Sequence, residues 1–160
     1  MFAKYIKEKY KDCYTKETFY NIRKDLEKHD KELFSKELEF LNERYNPLAN
    51  IVLNKSRDKY VDYGNFILTQ DKYNKMHFLL IPKNLSYFNV LTLKKEDIVM
   101  LNEMKKLIFK HLGTDYILYF HCYPYNSIHT LHMHVVHKNS YIFKNNNLMI
   151  DDVIYVLELN

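Results

Sequence analysis

Glycine is almost missing from this 160-residue chain: there are two, with three prolines, two cysteines and no tryptophan. Two glycines cannot build the glycine-rich loop that wraps a phosphate in backbone N–H groups, so any phosphate must be held by side chains. Few sharp backbone reversals are available either. Cys13 and Cys122 are too few for a disulfide scaffold or a cysteine zinc site, and read as reduced thiols of a cytoplasmic or nuclear protein. No apolar run approaches the roughly 18 residues that cross a membrane. The start, Met1-Phe-Ala-Lys-Tyr-Ile-Lys-Glu-Lys, lacks the apolar core of a signal peptide, so no membrane partner is expected. Neither charge sign dominates: 24 basic against 20 acidic residues leave +4. That balance is compatible with a nucleotide or nucleic-acid ligand without requiring one.

Apolar side chains are plentiful. Hydrophobic residues make up 47% of the chain, 15 tyrosines and 10 phenylalanines included, which is enough to build a core for one domain of ordinary size. Residues 1–47 read as a helical N-terminal extension. Thr15 is a candidate N-cap, and Phe19, Ile22, Leu26, Leu33, Phe34, Leu38, Leu41 and Tyr45 recur at helical spacing. Pro47 reads as the stop. Acids nearly balance bases here, which favours a packed support over a nucleic-acid surface.

Residues 48–160 read as one mixed domain of strands and helices. Residues 51–53 are expected to form a short strand and 56–59 a turn. Residues 66–69 and 77–81 read as an antiparallel hairpin ended by Pro82. Residues 93–112 read as the clearest helix, with Thr92 as N-cap, Glu96 and Asp97 in its first turn and Gly113 at the left-handed C-terminal position. A strand at 115–120 and a closing helix at 149–157 complete the reading.

The chemistry concentrates in 119–137. Leu131, Met133 and Val135 alternate with Thr130, His132, His134 and Val136, a strand period that sets two imidazoles on one face. His121 precedes them. Near neutral pH an imidazole is partly unprotonated and can attack phosphorus, while a neighbouring imidazole donates to a phosphoryl oxygen. A zinc site on His121, His132 and His134 is the competing reading of the same residues. His129 lies on the opposite face of a regular strand, although a bulge can bring it in, and His137 reads as surface.

The segment Thr-Leu-His-Met-His-Val-Val at 130–136 resembles the histidine-triad motif, His-φ-His-φ-His-φ-φ with φ apolar. His132 falls on the middle histidine, the family's nucleophile, and His134 on the third. Thr130 stands in place of the first. Ser127 takes the place of a serine that contacts phosphate. His121 and Pro124 resemble the His-x-x-Pro that precedes the triad in aprataxin and in the scavenger mRNA-decapping enzymes, with two extra residues between Pro124 and Ser127. Upstream, Met76-His-Phe-Leu-Leu-Ile-Pro-Lys83 is similar to the family's His-φ-Leu-φ-Ile-Pro-Lys strand, and Asp71-Lys-Tyr-Asn-Lys75 to the aprataxin version of what precedes it. The likeness covers residues 60–157.

This resemblance implies an α+β histidine-triad-like fold: an antiparallel sheet with a central helix packed on it, here with an N-terminal helical extension. It implies metal-independent hydrolysis of a phosphoanhydride or phosphoramidate through a nucleotidyl-histidine, with no cofactor and no metal. His132, His134 and His121 would be catalytic. Ser127, Thr130, His77 and Lys83 would contact substrate, and a hairpin carrying Tyr60, Tyr63 and Phe66 would line the nucleoside pocket. The expected partner is a nucleotide or a capped or adenylated nucleic-acid end. The chain's ending favours the decapping branch, with removal of AMP from adenylated 5′ ends as the alternative. A homodimer, as in several branches, stays open. With a threonine where the first histidine belongs, a non-catalytic nucleotide- or RNA-binding module stays open too.

Overall fold

The computed structural model of the chain describes residues 2–10, 15–29, 31–42, 46–123, 125–126 and 128–159. Its strands are β1 (Tyr60–Asp62), β2 (Phe66–Gln70), β3 (His77–Pro82), β4 (Tyr116–His121), β5 (Met133–His137) and β6 (Asn147–Met149). They form one antiparallel sheet in the order β1-β2-β3-β5-β4-β6. The helices are α1 (Phe2–Tyr10), α2 (Lys16–Lys28), α3 (Lys31–Asn42), α4 (Pro47–Val52), α5 (Ile98–His111) and α6 (Ile150–Glu158).

Because side chains alternate along a strand and opposed residues share a face, the register sorts the sheet into two sides. One side carries Phe66, Leu68, Leu80, Met133, Val135, Leu118, Phe120 and Leu148. These join Leu101, Met104 and Ile108 of α5 and Val153, Val156 and Leu157 of α6 in the main core. The other side carries the row Thr69, Leu79, His134, Tyr119 and Met149, one residue from each of five neighbouring strands. Among the described residues the short α4 packs there: Leu48 and Ile51 bury against Ile67 and Ile81, with Leu79 and Ile128 beside them. Helices therefore cover the first side, and among the described residues the second is the side less covered by helix, with α4 at its β2–β3 end.

Helices α1 to α3 place Phe2, Ile6, Phe19, Ile22, Phe34 and Leu38 in the same main core as the sheet. Arg23 Nη1 donates to the Leu93 carbonyl at 2.7 Å, which fastens α2 to the segment before α5. Thr15 caps α2 as expected, accepting from Thr18 N. Among the described residues, no helix is long and apolar enough to cross a membrane.

Three local expectations are corrected. Residues 51–53 are not a strand; 47–52 are helix α4. Pro47 opens that helix rather than closing the one before, since a proline at the first helical position lacks only an N–H that would be unpaired anyway. The central helix starts at Ile98, and Thr92 does not cap it: its hydroxyl donates back to the Asn89 carbonyl at 2.7 Å. At the other end Gly113 does adopt the left-handed conformation, φ +94°, with its N–H on the Ile108 carbonyl.

Candidate active site

The stretch expected to be the histidine strand folds as a loop followed by β5. Leu131, Met133 and Val135 point into the main core, so His132 and His134 project from the second side. His77, at the start of the neighbouring strand, and His121, at the end of β4, face the same side. Four imidazoles thus meet. Ring centroids lie 5.1 Å apart for His132 and His134, 4.3 Å for His121 and His134, and 5.2 Å for His77 and His134. Tyr119, the strand partner of His134, stacks on it with rings 3° from parallel at 4.9 Å.

Hydrogen bonds assign the rings. His132 Nδ1 lies 2.7 Å from the Thr130 carbonyl. A carbonyl only accepts, so Nδ1 carries the proton and Nε2 presents a lone pair. His121 Nε2 lies 3.1 Å from Asn147 Oδ1. That amide is oriented by its other end, where Nδ2 donates to the Ile142 carbonyl at 3.4 Å, so Nε2 is the donor and His121 Nδ1 is left as the acceptor. His134 Nδ1 and His77 Nε2 share one proton at 3.0 Å. Behind His77 stands the Asp71 carboxylate, 4.0 Å from Nδ1. His134 Nε2 is buried and has no hydrogen-bond partner among the described residues.

Electrostatics keep these rings neutral. Burial pushes His132 down to about 4, and the neighbouring imidazoles add to the shift while the Thr130 carbonyl opposes it. His134 is pushed further down, first by burial and then by His132, His121 and His77. Burial also lowers His121 and His77; the Asn147 bond opposes this for the one, and Asp71 for the other. Lys144, in the loop before β6, lowers His77, His121 and His134 by its charge.

Beside the cluster lies a cleft of about 460 Å³ between α4 and the turns joining the strands. Leu48, Ile51 and Leu79 form its apolar wall, and Asp58, Asp71, Lys59, Lys72, Lys75 and Tyr73 its rim. The volume lies in the range of small-molecule sites, about 300–1,000 Å³. Leu79 is the strand partner of His134, so the cleft opens one strand, about 4.8 Å, from the imidazoles. A larger cavity of about 730 Å³ lies among α1, α3 and the end of α2, lined mostly by apolar side chains such as Phe2, Phe34 and Phe40. It holds no imidazole cluster.

Of the residues expected at the site, His132, His134, His121 and His77 are brought together, with Thr130 behind His132. Ser127 and Pro124 lie outside the described residues, as does Cys13. Lys83 is carried elsewhere: its ammonium sits on Asp62 Oδ2 at 2.7 Å, at the β1–β2 end of the sheet. Phe66 faces the main core, and Tyr63 packs against it with its ring 4.4 Å from His111. Tyr60 is exposed and bonds Asn54. The cleft wall is built from α4 and β3 instead. His129 Nδ1 lies 3.2 Å from Asn126 Nδ2, and its charge helps to lower His132; His137 is half-buried against Tyr116. Among the described residues no group of three His, Cys, Asp or Glu side chains is arranged to hold a metal ion.

Sequence reading missed Asn46, Asp71, Tyr119, Lys144 and Asn147. The Asn-Pro pair at 46–47 is a helix-start signal. Tyr119 and Asn147 are brought to the imidazoles by the sheet register, and Asp71 and Lys144 lie in the turns before β3 and β6.

The family described as scavenger mRNA decapping enzyme C-term binding matches residues 45–149. A solved histidine triad protein from Clostridium difficile is similar in fold, with a TM-score of 0.51, covering 63% of this chain and 97% of that one. Its sequence identity of 19% makes this a likeness of fold alone. No curated protein matches the chain.

Proposed function

The chain belongs to the scavenger mRNA decapping enzyme C-terminal family, and from that premise we propose that it is a metal-independent nucleotide hydrolase acting through His132 on the α-phosphate of a cap-like dinucleotide. The observation that carries this reading is the His132 ring: neutral, with its proton fixed on Nδ1 by the Thr130 carbonyl at 2.7 Å and a lone pair on Nε2.

In the first step Nε2 attacks the α-phosphorus, a P–N bond forms, and the bond to the leaving phosphate oxygen breaks. In the second, water attacks the same phosphorus and returns the electron pair to Nε2. Dividing one displacement into two is the gain of covalent catalysis. With the shared proton on His77 Nε2, His134 Nε2 is a donor, buried and without a partner among the described residues. It serves a phosphoryl oxygen, where charge develops. The leaving phosphate departs as an anion without a proton; in the second step His121 Nδ1, which holds a lone pair, takes the proton from the attacking water and passes it to solvent. The base lies against Leu48, Ile51 and Leu79 in the neighbouring cleft.

The test is turnover, with chelator present, of a methylated cap dinucleotide, a diadenosine polyphosphate, an adenosine phosphoramidate and a 5′-adenylated DNA, by wild type and His132→Ala. Cleavage of the cap dinucleotide by wild type alone is the expected result. Cleavage of the adenylated DNA instead replaces the decapping reading by AMP removal. Equal binding to both proteins without turnover refutes the role of His132 and leaves a binding module.

A further inference from the structure

We propose that Asn46 takes over the positioning task left open by Thr130, the threonine standing where the triad pattern has its first histidine. Asn46 acts on His132 through Thr130, an inference that rests on the hydrolase reading for its kinetic consequence only.

The amide of Asn46 is held at both ends. Its Oδ1 accepts the Ala49 N–H at 3.1 Å, capping α4, and its Nδ2 donates to Thr130 Oγ1 at 2.6 Å. The Ala49 N–H can only donate, so the amide has one orientation. Its base is rigid as well. Pro47 restricts the backbone of the residue before it, and α4 is seated on the sheet by buried Leu48 and Ile51.

Thr130 is 3% exposed. Its side chain is fixed by Asn46, and the next residue by the Leu131 N–H on the Tyr87 carbonyl at 3.0 Å. Between those two anchors lies the carbonyl that holds His132 Nδ1. A threonine hydroxyl is too short to reach far, so the partner comes to it, from 84 residues away in sequence. The direction of the Thr130 carbonyl sets both the tautomer and the aim of His132, the two properties a nucleophile needs.

Asn46→Ser keeps a good cap for α4 but cannot reach Thr130. Thr130→Val removes the hydroxyl at nearly constant volume, and Thr130→Ser retains it. With the substrate that wild type cleaves, Asn46→Ser and Thr130→Val should each lower kcat on the order of tenfold with KM little changed. The double variant should be no slower than either single one, because both cut the same link. Thr130→Ser should recover most of the rate lost in Thr130→Val. In the substrate-free proteins, ¹⁵N shifts of the His132 ring should move from one tautomer in wild type to a mixture in both variants. Losses that multiply in the double variant, or a wild-type tautomer in Asn46→Ser, overturn the inference. Should wild type cleave nothing, the hydrolase reading fails, and the ¹⁵N measurement still decides the role of Asn46.

Discussion

Acid should unfold this protein partly through His132. Burial holds its imidazole at about 4 in the native state, against an ordinary value near 6.5 in an unfolded chain. Between those two pH values the unfolded chain binds a proton that the native chain refuses. The stability tied to neutral His132 is therefore complete above about pH 6.5. It falls as the pH drops and levels off only below about pH 4. By linkage, going from pH 7 to pH 5 costs about 2 kcal/mol for this group alone. His134, His121 and His77 are shifted the same way, so wild type loses more than that. The difference from a His132→Gln variant isolates one ring, since glutamine does not titrate and can still donate to the Thr130 carbonyl.

Urea unfolding of both proteins at pH 7, 6 and 5 measures it. The wild-type loss should exceed the variant's by about 2 kcal/mol at pH 5. Parallel losses, or an NMR titration midpoint for His132 near 6.5, would refute the assignment of a buried, neutral nucleophile. The same shift places the acid limb of kcat/KM closer to pH 4 than to pH 6.5.

Leu48→Ala removes the side chain that both seats α4 and walls the cleft; it should cost about 2–4 kcal/mol in chemical denaturation and raise KM more than it lowers kcat. Asn147→Ala leaves His121 Nε2 without its acceptor and should lower kcat on the order of tenfold with KM nearly constant, as loss of a positioning bond does. Phosphate binding should take up protons below neutral pH, because an anion among neutral imidazoles raises their proton affinity; calorimetry in buffers of different ionisation enthalpy reads this, and no proton uptake at pH 6 would contradict it.

The elements read from sequence were those whose signal is local. The alternation of Leu131, Met133 and Val135 with His132 and His134 is a property of seven residues, and it placed both rings on one face. Gly113 was equally local. The errors lie where one local signal has two meanings. Pro47 is compatible with the end of one helix or the first turn of the next, and the Asn46 cap decides for the second. Thr92 is a good capping residue in the abstract, but its hydroxyl is engaged by Asn89 and the helix begins at Ile98. The resemblance sets Tyr60, Tyr63 and Phe66 on a hairpin that lines a nucleoside pocket. Which face a strand residue takes depends on the register of the whole sheet, and that puts Phe66 beside Leu68 in the main core. Partners 26 and 84 residues apart, His121 with Asn147 and Asn46 with Thr130, have no trace in any window of the sequence.

The scarcity of glycine and the crowding of histidine belong to one solution. A backbone loop of N–H donors holds phosphate at any pH but supplies no nucleophile. Imidazoles supply both the donor and the nucleophile, provided that one ring stays neutral and aimed while another can donate. Here burial and mutual repulsion provide the neutrality. The aim comes from groups that cannot titrate in the working range: a backbone carbonyl for His132 and a side-chain amide for His121. The ring in line with a carboxylate is His77, through which Asp71 can favour a positive charge once an anion is present. Under the hydrolase reading the cluster is graded, from a ring held neutral for attack to a ring placed to carry charge, and the grading follows from where each histidine sits: His132 in the loop before β5, His134, His121 and His77 on three neighbouring strands.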